Sequence, residues 1–225
     1  MITFTNKGLR PKNEDYLLSK QFDDEISFHI IADGMGGYSF GDVAAKMVVE
    51  TIATQVEQLD FSAIADDDFI TICKQTTKKL QDEGIKLSSK LGATFAAVLI
   101  VKDTIYIFWM GDSRIYLFDE NKQLLFQSTD HSLINELRIS RKLTLNEIKK
   151  YDAVVMRCLS SDFLEFPPQI ETLSYSSKNT IILCSDGLHK EIDINEMVMM
   201  DSVKTLPFLL SIENEMSDNY SVIIV

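Results

Sequence analysis

The sequence predicts an α+β fold, a sandwich of stacked antiparallel sheets with helices outside. Three observations carry that prediction. Short apolar runs fall into two groups along the 225 residues, a pair of helical patterns separates the groups, and tight reversals join neighbouring runs. Tight reversals exclude a parallel sheet, whose crossovers need a dozen or more residues. With 45% apolar residues and no Pro/Gly/Ser-rich divider, the chain can bury one sizeable core. A single domain over 1–225 is therefore expected.

The first predicted strand covers Ser27 to Ala32. After a glycine-rich turn, Val43, Ala44, Met47, Val48, Ile52, Val56 and Leu59 recur at helical spacing. A second helix opens at Asp66-Asp67-Asp68, acids that suit the positive end of a helix dipole. It sets Phe69, Ile72, Cys73, Thr76 and Leu80 on one face. Strands follow over Thr94 to Val101, Thr104 to Met110 and Arg114 to Phe118. Lys102-Asp103 closes the first pair as a two-residue hairpin, and Gly111-Asp112-Ser113 reads as a second tight reversal. Periodicity loosens from Ser132 to about Pro168, apart from Thr144-Leu145-Asn146-Glu147, a capping box that opens a short helix. Beyond Pro167-Pro168 come a strand over Thr180 to Cys184, a helix start at Asp193-Ile194-Asn195-Glu196, a helix around Pro207 to Glu213, and a last strand over Tyr220 to Val225.

With 22 basic and 34 acidic residues the net charge is −12. That balance argues against nucleic acid or an anionic membrane as the partner. Asp23-Asp24-Glu25 reads as a solvated turn. The segment Met1 to Gly8 lacks the apolar core of a signal peptide, and the longest apolar run, Phe95 to Val101, is too short to span a bilayer. Cys73, Cys158 and Cys184 show no paired spacing, which fits a reducing compartment. A soluble, cytoplasmic protein is expected.

Four aspartates stand where an apolar strand meets a turn. Asp33, Asp112 and Asp186 follow their strands, and Asp218 precedes the last one. All four reach one edge of a sheet only if the last strand runs antiparallel to its neighbours. Carboxylates gathered in this way resist ionising together, and they persist where a cation neutralises them. The pattern points to a metal site built of aspartates, and so to phosphate chemistry. In Asp33-Gly34-Met35-Gly36-Gly37 the bland reading is an ordinary Asp-Gly turn. Against it, no Lys or Arg lies between Ile26 and Asp42 to neutralise the acid. Glu14 and Asp15 form a second acid pair, aimed to opposite faces if extended. Arg10 nearby offers a fork-shaped guanidinium that suits two phosphate oxygens. The three histidines show no zinc-like spacing, and His29 reads as a packed strand residue. An oxygen-rich donor set selects Mg²⁺ or Mn²⁺. Two such ions roughly 3.5–4 Å apart can hold a bridging hydroxide and clamp phosphoryl oxygens for in-line attack.

The chain resembles the metal-dependent serine/threonine protein phosphatases of the protein phosphatase 2C type, in their compact bacterial form. The resemblance runs in order through Gly8-Leu9-Arg10, Asn13-Glu14-Asp15, Asp33-Gly34-Met35-Gly36-Gly37, Gly92-Ala93-Thr94, Gly111-Asp112-Ser113-Arg114, Thr129-Asp130-His131-Ser132, Ser185-Asp186-Gly187-Leu188 and Asp218-Asn219. It implies a four-layer α-β-β-α sandwich, two central antiparallel sheets flanked by helices, with two Mn²⁺ or Mg²⁺ ions at one end. It further implies that Asp33 bridges both ions, Asp186 and Asp218 complete one site, and Glu14 with the Gly34 carbonyl completes the other. By the same resemblance Arg10 holds the substrate phosphate, Asp15 hydrogen-bonds metal-bound water, and Asp112 ligates a weaker third ion. Ser113, Arg114 and His131 are expected to hold turns behind the site. Residues 133–168 correspond to the flap that shapes substrate access.

Two positions qualify the resemblance. Met35 stands where animal relatives have histidine, as is usual for the bacterial branch. Lys190 stands where an aspartate is usual, so the third ion is expected to be weak or absent. Cys184, inside a strand without a base beside it, is a poor nucleophile. The resulting expectation is hydrolysis of phosphoserine and phosphothreonine in proteins, by in-line attack of a hydroxide held between the two ions. The phosphoprotein partners would be substrates of a cognate kinase, in a signalling role, and the chain is expected to be a monomer. Two rivals remain open, a non-catalytic phosphoprotein-binding module kept alive by Lys190, and a two-metal nuclease opposed by the −12 charge.

Overall fold

The computed structural model describes residues 1–35, 40–151, 153–162 and 166–225. Gly36 and Gly37 of the glycine turn lie outside them. The elements in chain order are β1 (Ile2–Asn6), β2 (Asp15–Gln21), β3 (Ile26–Gly34), α1 (Gly41–Val56), α2 (Asp66–Leu87), β4 (Gly92–Val101), β5 (Thr104–Met110), β6 (Arg114–Phe118) and β7 (Leu124–Gln127). There follow α3 (Leu133–Ser140), α4 (Leu145–Tyr151), β8 (Leu159–Ser160), β9 (Gln169–Ser174), β10 (Thr180–Cys184), α5 (Asp186–His189), α6 (Ile194–Val198), α7 (Ser202–Ser211) and β11 (Tyr220–Ile224). One sheet runs β1-β11-β10-β6-β7. The other runs β2-β3-β4-β5-β9, with β8 paired to the start of β4.

Side-chain alternation explains why the sheets stack. Along β4, Phe95, Ala97 and Leu99 face one way, and Ala96, Val98 and Ile100 face the other. Both faces are buried, so the strand reads as an unbroken apolar run. The first set packs against Val48 and Ile52 of α1 and Phe69 and Leu80 of α2. The second set meets Ile115, Leu117, Ile181, Leu183 and Ile223 of the facing sheet. On that sheet's outer side, Tyr116, Phe118, Ile182 and Val222 pack against Ile194, Met197 and Leu209 of α6 and α7. Three apolar interfaces thus separate four layers, α-β-β-α. Phe69 ties α2 to β5 by stacking on Phe108 with centroids 4.5 Å apart. Truncating it to alanine would cost about 3–5 kcal/mol.

The hairpin at Lys102-Asp103 forms as expected, with Lys102 at φ 54°. The Thr144 capping box also forms, its hydroxyl and backbone N–H both donating to Glu147. Two expectations need correction. Gly111-Asp112-Ser113 is not a turn within one sheet, because β5 belongs to one sheet and β6 to the other. The segment crosses between layers, with Gly111 at φ +114° and the Thr94 side chain packed where a Cβ would stand. The aspartates, for the same reason, gather at one end of two stacked sheets and not along one edge of a single sheet.

Candidate metal centre

Every paired strand is antiparallel to its neighbour, so one end of the sandwich collects the close of β3, β5 and β10 and the start of β2, β4, β6 and β11. The predicted residues sit on those termini. Asp33, near the end of β3, lies across the ladder from Asp15 of β2 on one side and Thr94 of β4 on the other. Asp186 opens α5 directly after β10, Asp112 follows β5, and Asp218 precedes β11. A cleft of about 230 Å³ at this end is lined by Arg10, Glu14, Asp33, Gly34, Asp112, Asp186 and Asp218, with Ala153 and Val155 from the 133–168 segment. Asp15 stands behind the cleft and not in its wall.

Local hydrogen bonds hold these groups in register. Asn219, almost fully buried, accepts the Glu14 N–H at 2.8 Å and donates to the carbonyls of Lys7 and Lys12, each at 2.9 Å. It staples the Arg10-to-Asp15 segment to the start of β11. The Glu14 carbonyl accepts the Gly34 N–H at 3.0 Å. The Glu14 carboxylate lies over Gly41, so close that a Cβ there would come within 2.7 Å of it. Asp15 Oδ2 accepts from the Ser185 and Ser221 hydroxyls at 2.7 and 2.6 Å, while its buried Oδ1 has no partner among the described residues.

The electrostatics follow from crowding. Burial, joined by the charges of Asp15 and Asp186, raises the Asp33 carboxyl well above the usual carboxylate range. Burial pushes Asp186 up too, but the Lys190 ammonium and a hydrogen bond with Asp33 outweigh it and hold Asp186 low. A proton on Asp33 donated to ionised Asp186 satisfies both directions. Asp15 is pushed up to about 7 by burial, against the two serine hydrogen bonds. Asp112 is likewise pushed up to about 7, by burial and Asp186, with Lys190 opposing.

Two tethered cations attend the acids. Arg10 Nη2 lies 2.6 Å from Asp218 Oδ2, and Lys190 Nζ lies 2.7 Å from Asp186 Oδ2 and 3.7 Å from Asp112 Oδ2. In sequence the base nearest Asp218 is Lys204; in space it is Arg10. With Asp186 and Asp218 turned onto these cations, no three acidic, histidine or cysteine side chains among the described residues close into a ready cage. The donor set nevertheless fits hard dications. It is all oxygen, it holds a carboxyl that burial and neighbouring charge drive toward protonation, and it is open to the cleft.

The residues expected to be structural behave so. Arg114 grips Asp130 with two bonds of 2.7 Å, Ser113 and Thr94 hydroxyls meet at 2.8 Å, and His131 Nδ1 accepts the Gly111 N–H at 3.1 Å. Glu191 accepts from Ser217 and is thereby turned to a different partner from Lys190. Burial raises Cys184, which removes it further from nucleophilic use. Sequence reasoning assigned no role to Ser185, Ser221 or Asn219. A hydroxyl beside a strand-end aspartate carries no distinguishing pattern, and only the adjacency of Asn219 to Asp218 could have flagged it.

Comparison with known proteins shows the family. The family described as Protein phosphatase 2C matches residues 10–219. Serine/threonine phosphatase stp of Listeria monocytogenes serotype 4b is 29% identical over 219 residues, covering 90% of this chain and 83% of that one. The solved Streptococcus agalactiae serine/threonine phosphatase superposes with a TM-score of 0.84 at 25% identity, over 99% of this chain and 96% of the other. The catalytic domain of the serine/threonine protein phosphatase PstP, solved with two manganese ions, shares the fold at TM-score 0.82 and 22% identity, over 99% and 95% of the two chains. The chain belongs to the protein phosphatase 2C family.

Proposed function

We propose that this protein phosphatase 2C releases phosphate from phosphoserine and phosphothreonine in proteins, using two Mn²⁺ or Mg²⁺ ions. Glu14, Asp33, the Gly34 carbonyl, Asp186 and Asp218 would hold the ions. One observation carries the reading: four acids, Glu14, Asp33, Asp186 and Asp218, from four separate stretches of chain, line a single cleft together with Gly34 and Arg10. When bound, the ions supply positive charge to the phosphoryl oxygens and lower the pKa of water. The chain's own residues do the rest. Arg10, about half exposed, can leave Asp218 and turn its fork onto two phosphate oxygens. Asp15, fixed by two serine hydroxyls, keeps its second oxygen buried without a partner among the described residues and can accept a proton there. Ala153 and Val155 wall the cleft, which supports the 133–168 segment as the part that shapes access for the phosphorylated segment. The manganese pair in the PstP domain and the phosphatase relatives support the same reading. Substrates phosphorylated by a cognate kinase, and a monomeric enzyme, belong to this proposal.

The rival binding module draws on the ion pairs Lys190–Asp186 and Arg10–Asp218, which in a non-catalytic protein would simply be permanent. Purified protein given a phosphothreonine peptide or p-nitrophenyl phosphate, with Mn²⁺, Mg²⁺ or chelator, separates the two. Metal-dependent release is expected. Asp33→Asn or Asp186→Asn should lower it by more than about 100-fold, since loss of outer-shell partners alone costs 10–100-fold in such sites. Release that persists in chelator contradicts the mechanism. Peptide binding without turnover under every metal favours the module.

A further inference from the structure

We infer that the Lys190 ammonium is a built-in counter-cation for Asp112 and Asp186, standing where a further divalent ion would otherwise bridge them, and that it limits the centre to two ions. The inference rests on the proposed two-ion reading and deepens it. Lys190 follows α5 and lies four residues after Asp186, on the same helical face. Its Nζ is 2.7 Å from Asp186 Oδ2 and 3.7 Å from Asp112 Oδ2, so one ammonium spans both carboxylates.

The surroundings fix this arrangement. Asp112 is buried at 4% exposure, and its backbone carbonyl is 2.8 Å from His189 Nε2, one residue before Lys190. The neighbouring guanidinium of Arg114 is committed to Asp130 by its two short bonds. Lys190 lines two cavities beside the acids, of about 350 and 200 Å³, but does not line the cleft itself. The ammonium therefore reaches the acids from outside the cleft, and it acts as a positioning residue. A dication bridging Asp112 and Asp186 would need oxygens at about 2.0–2.6 Å. That position falls within a few ångströms of Nζ, where like charges repel strongly in a partly buried setting. The two cations exclude each other, and the tethered one is always present.

The test counts bound metal and does not read activity. Metal-stripped wild type, Lys190→Arg, Lys190→Ala and Lys190→Asp are titrated with Mn²⁺ by calorimetry, with free Mn²⁺ followed by electron paramagnetic resonance. Thermal melts confirm that each variant is folded. Wild type and Lys190→Arg are expected to bind the same number of ions, about two per chain as in a two-metal site. Lys190→Asp, and more weakly Lys190→Ala, should take up one more. If the lysine only brackets the fold, its loss lowers the melting temperature without adding an equivalent, and the inference falls. It also falls if wild type already binds the additional ion. Wild type that binds no Mn²⁺ at all sinks the two-ion reading itself, and this inference with it.

Discussion

Replacing Asp15 with asparagine should stabilise the metal-stripped protein at alkaline pH, although the residue belongs to the proposed catalytic apparatus. Asp15 Oδ2 accepts two serine hydroxyls, its Oδ1 is buried without a partner among the described residues, and its pKa is pushed up to about 7, chiefly by burial. The sign follows from proton linkage. An acid with a raised pKa in the folded state binds its proton there more readily than in the unfolded chain. Stability then falls as pH rises from the ordinary carboxylate range to about 7, and stays low above it. A displacement of about three pH units corresponds to roughly 4 kcal/mol at pH 8. Asparagine keeps an oxygen for the two serines and carries no charge. Its amide must occupy the unpartnered side, which returns about 1 kcal/mol. The net gain at pH 8 is about 3 kcal/mol, or roughly 6–12 °C in melting temperature for a domain of this size. At pH 4–5 the two proteins should melt together. Melts in EDTA across that pH range supply the check, and a variant less stable than wild type at pH 8, or a pH-independent gap, refutes the reasoning. Added Mn²⁺ should raise wild type more than the variant, because ligand that favours the folded state stabilises by mass action.

The remaining expectations are simpler. Arg10→Ala should raise KM for a phosphopeptide at least tenfold in steady-state assays, yet change stability by less than about 1 kcal/mol, because its ion pair with Asp218 is largely exposed. Asn219→Ala leaves the Glu14 N–H and the Lys7 and Lys12 carbonyls without their partner; urea unfolding should show a loss of about 2–4 kcal/mol. His29, buried between Ser19 and Ser27 and depressed to about 4, is neutral in the fold and must charge on acid unfolding. Stability should therefore drop by about 3 kcal/mol as pH falls from 6.5 to 4, and His29→Gln should flatten that slope.

How far the sequence could be read depended on burial. β4, β5, β6, β10 and β11 were legible because both faces are covered, which writes near-continuous apolar runs into the chain. β1, β7 and β9 are sheet-edge strands with exposed faces, and β2 is half-buried along most of its length, so their mixed composition gave no signal. The four residues of α5 are too few for periodicity to register. The acids were legible for a different reason: an aspartate that ends a buried strand without a neighbouring base is chemically costly, and the cost is visible in one dimension. Pairings across the fold were not. Arg10 and Asp218 are 208 residues apart, and Asp15 finds Ser185 and Ser221 at 170 and 206. The crossing at Gly111 was misread because a short glycine-bearing link serves equally to turn a strand back or to carry it to the next layer.

The site's charges form one ledger that no single residue explains. Asp186 and Asp218 each rest on a cation tethered elsewhere in the chain, Lys190 and Arg10. Asp33 and Asp15 have no such cation bonded to them among the described residues, and their raised affinity for protons is what neutralises them instead. On the proposed reading, a dication entering the cleft would compete with the proton on Asp33 and with Arg10 for Asp218. Lys190 is held on two carboxylates and stays. On the proposed two-ion reading, occupancy of the centre by metal would be coupled to pH through Asp33 and to substrate through Arg10, the guanidinium proposed to take the phosphate. Stacking two antiparallel sheets makes this possible. Their termini bring acids from four stretches of sequence to one end, while no single sheet edge could place Asp33 and Asp186 within hydrogen-bond reach of each other.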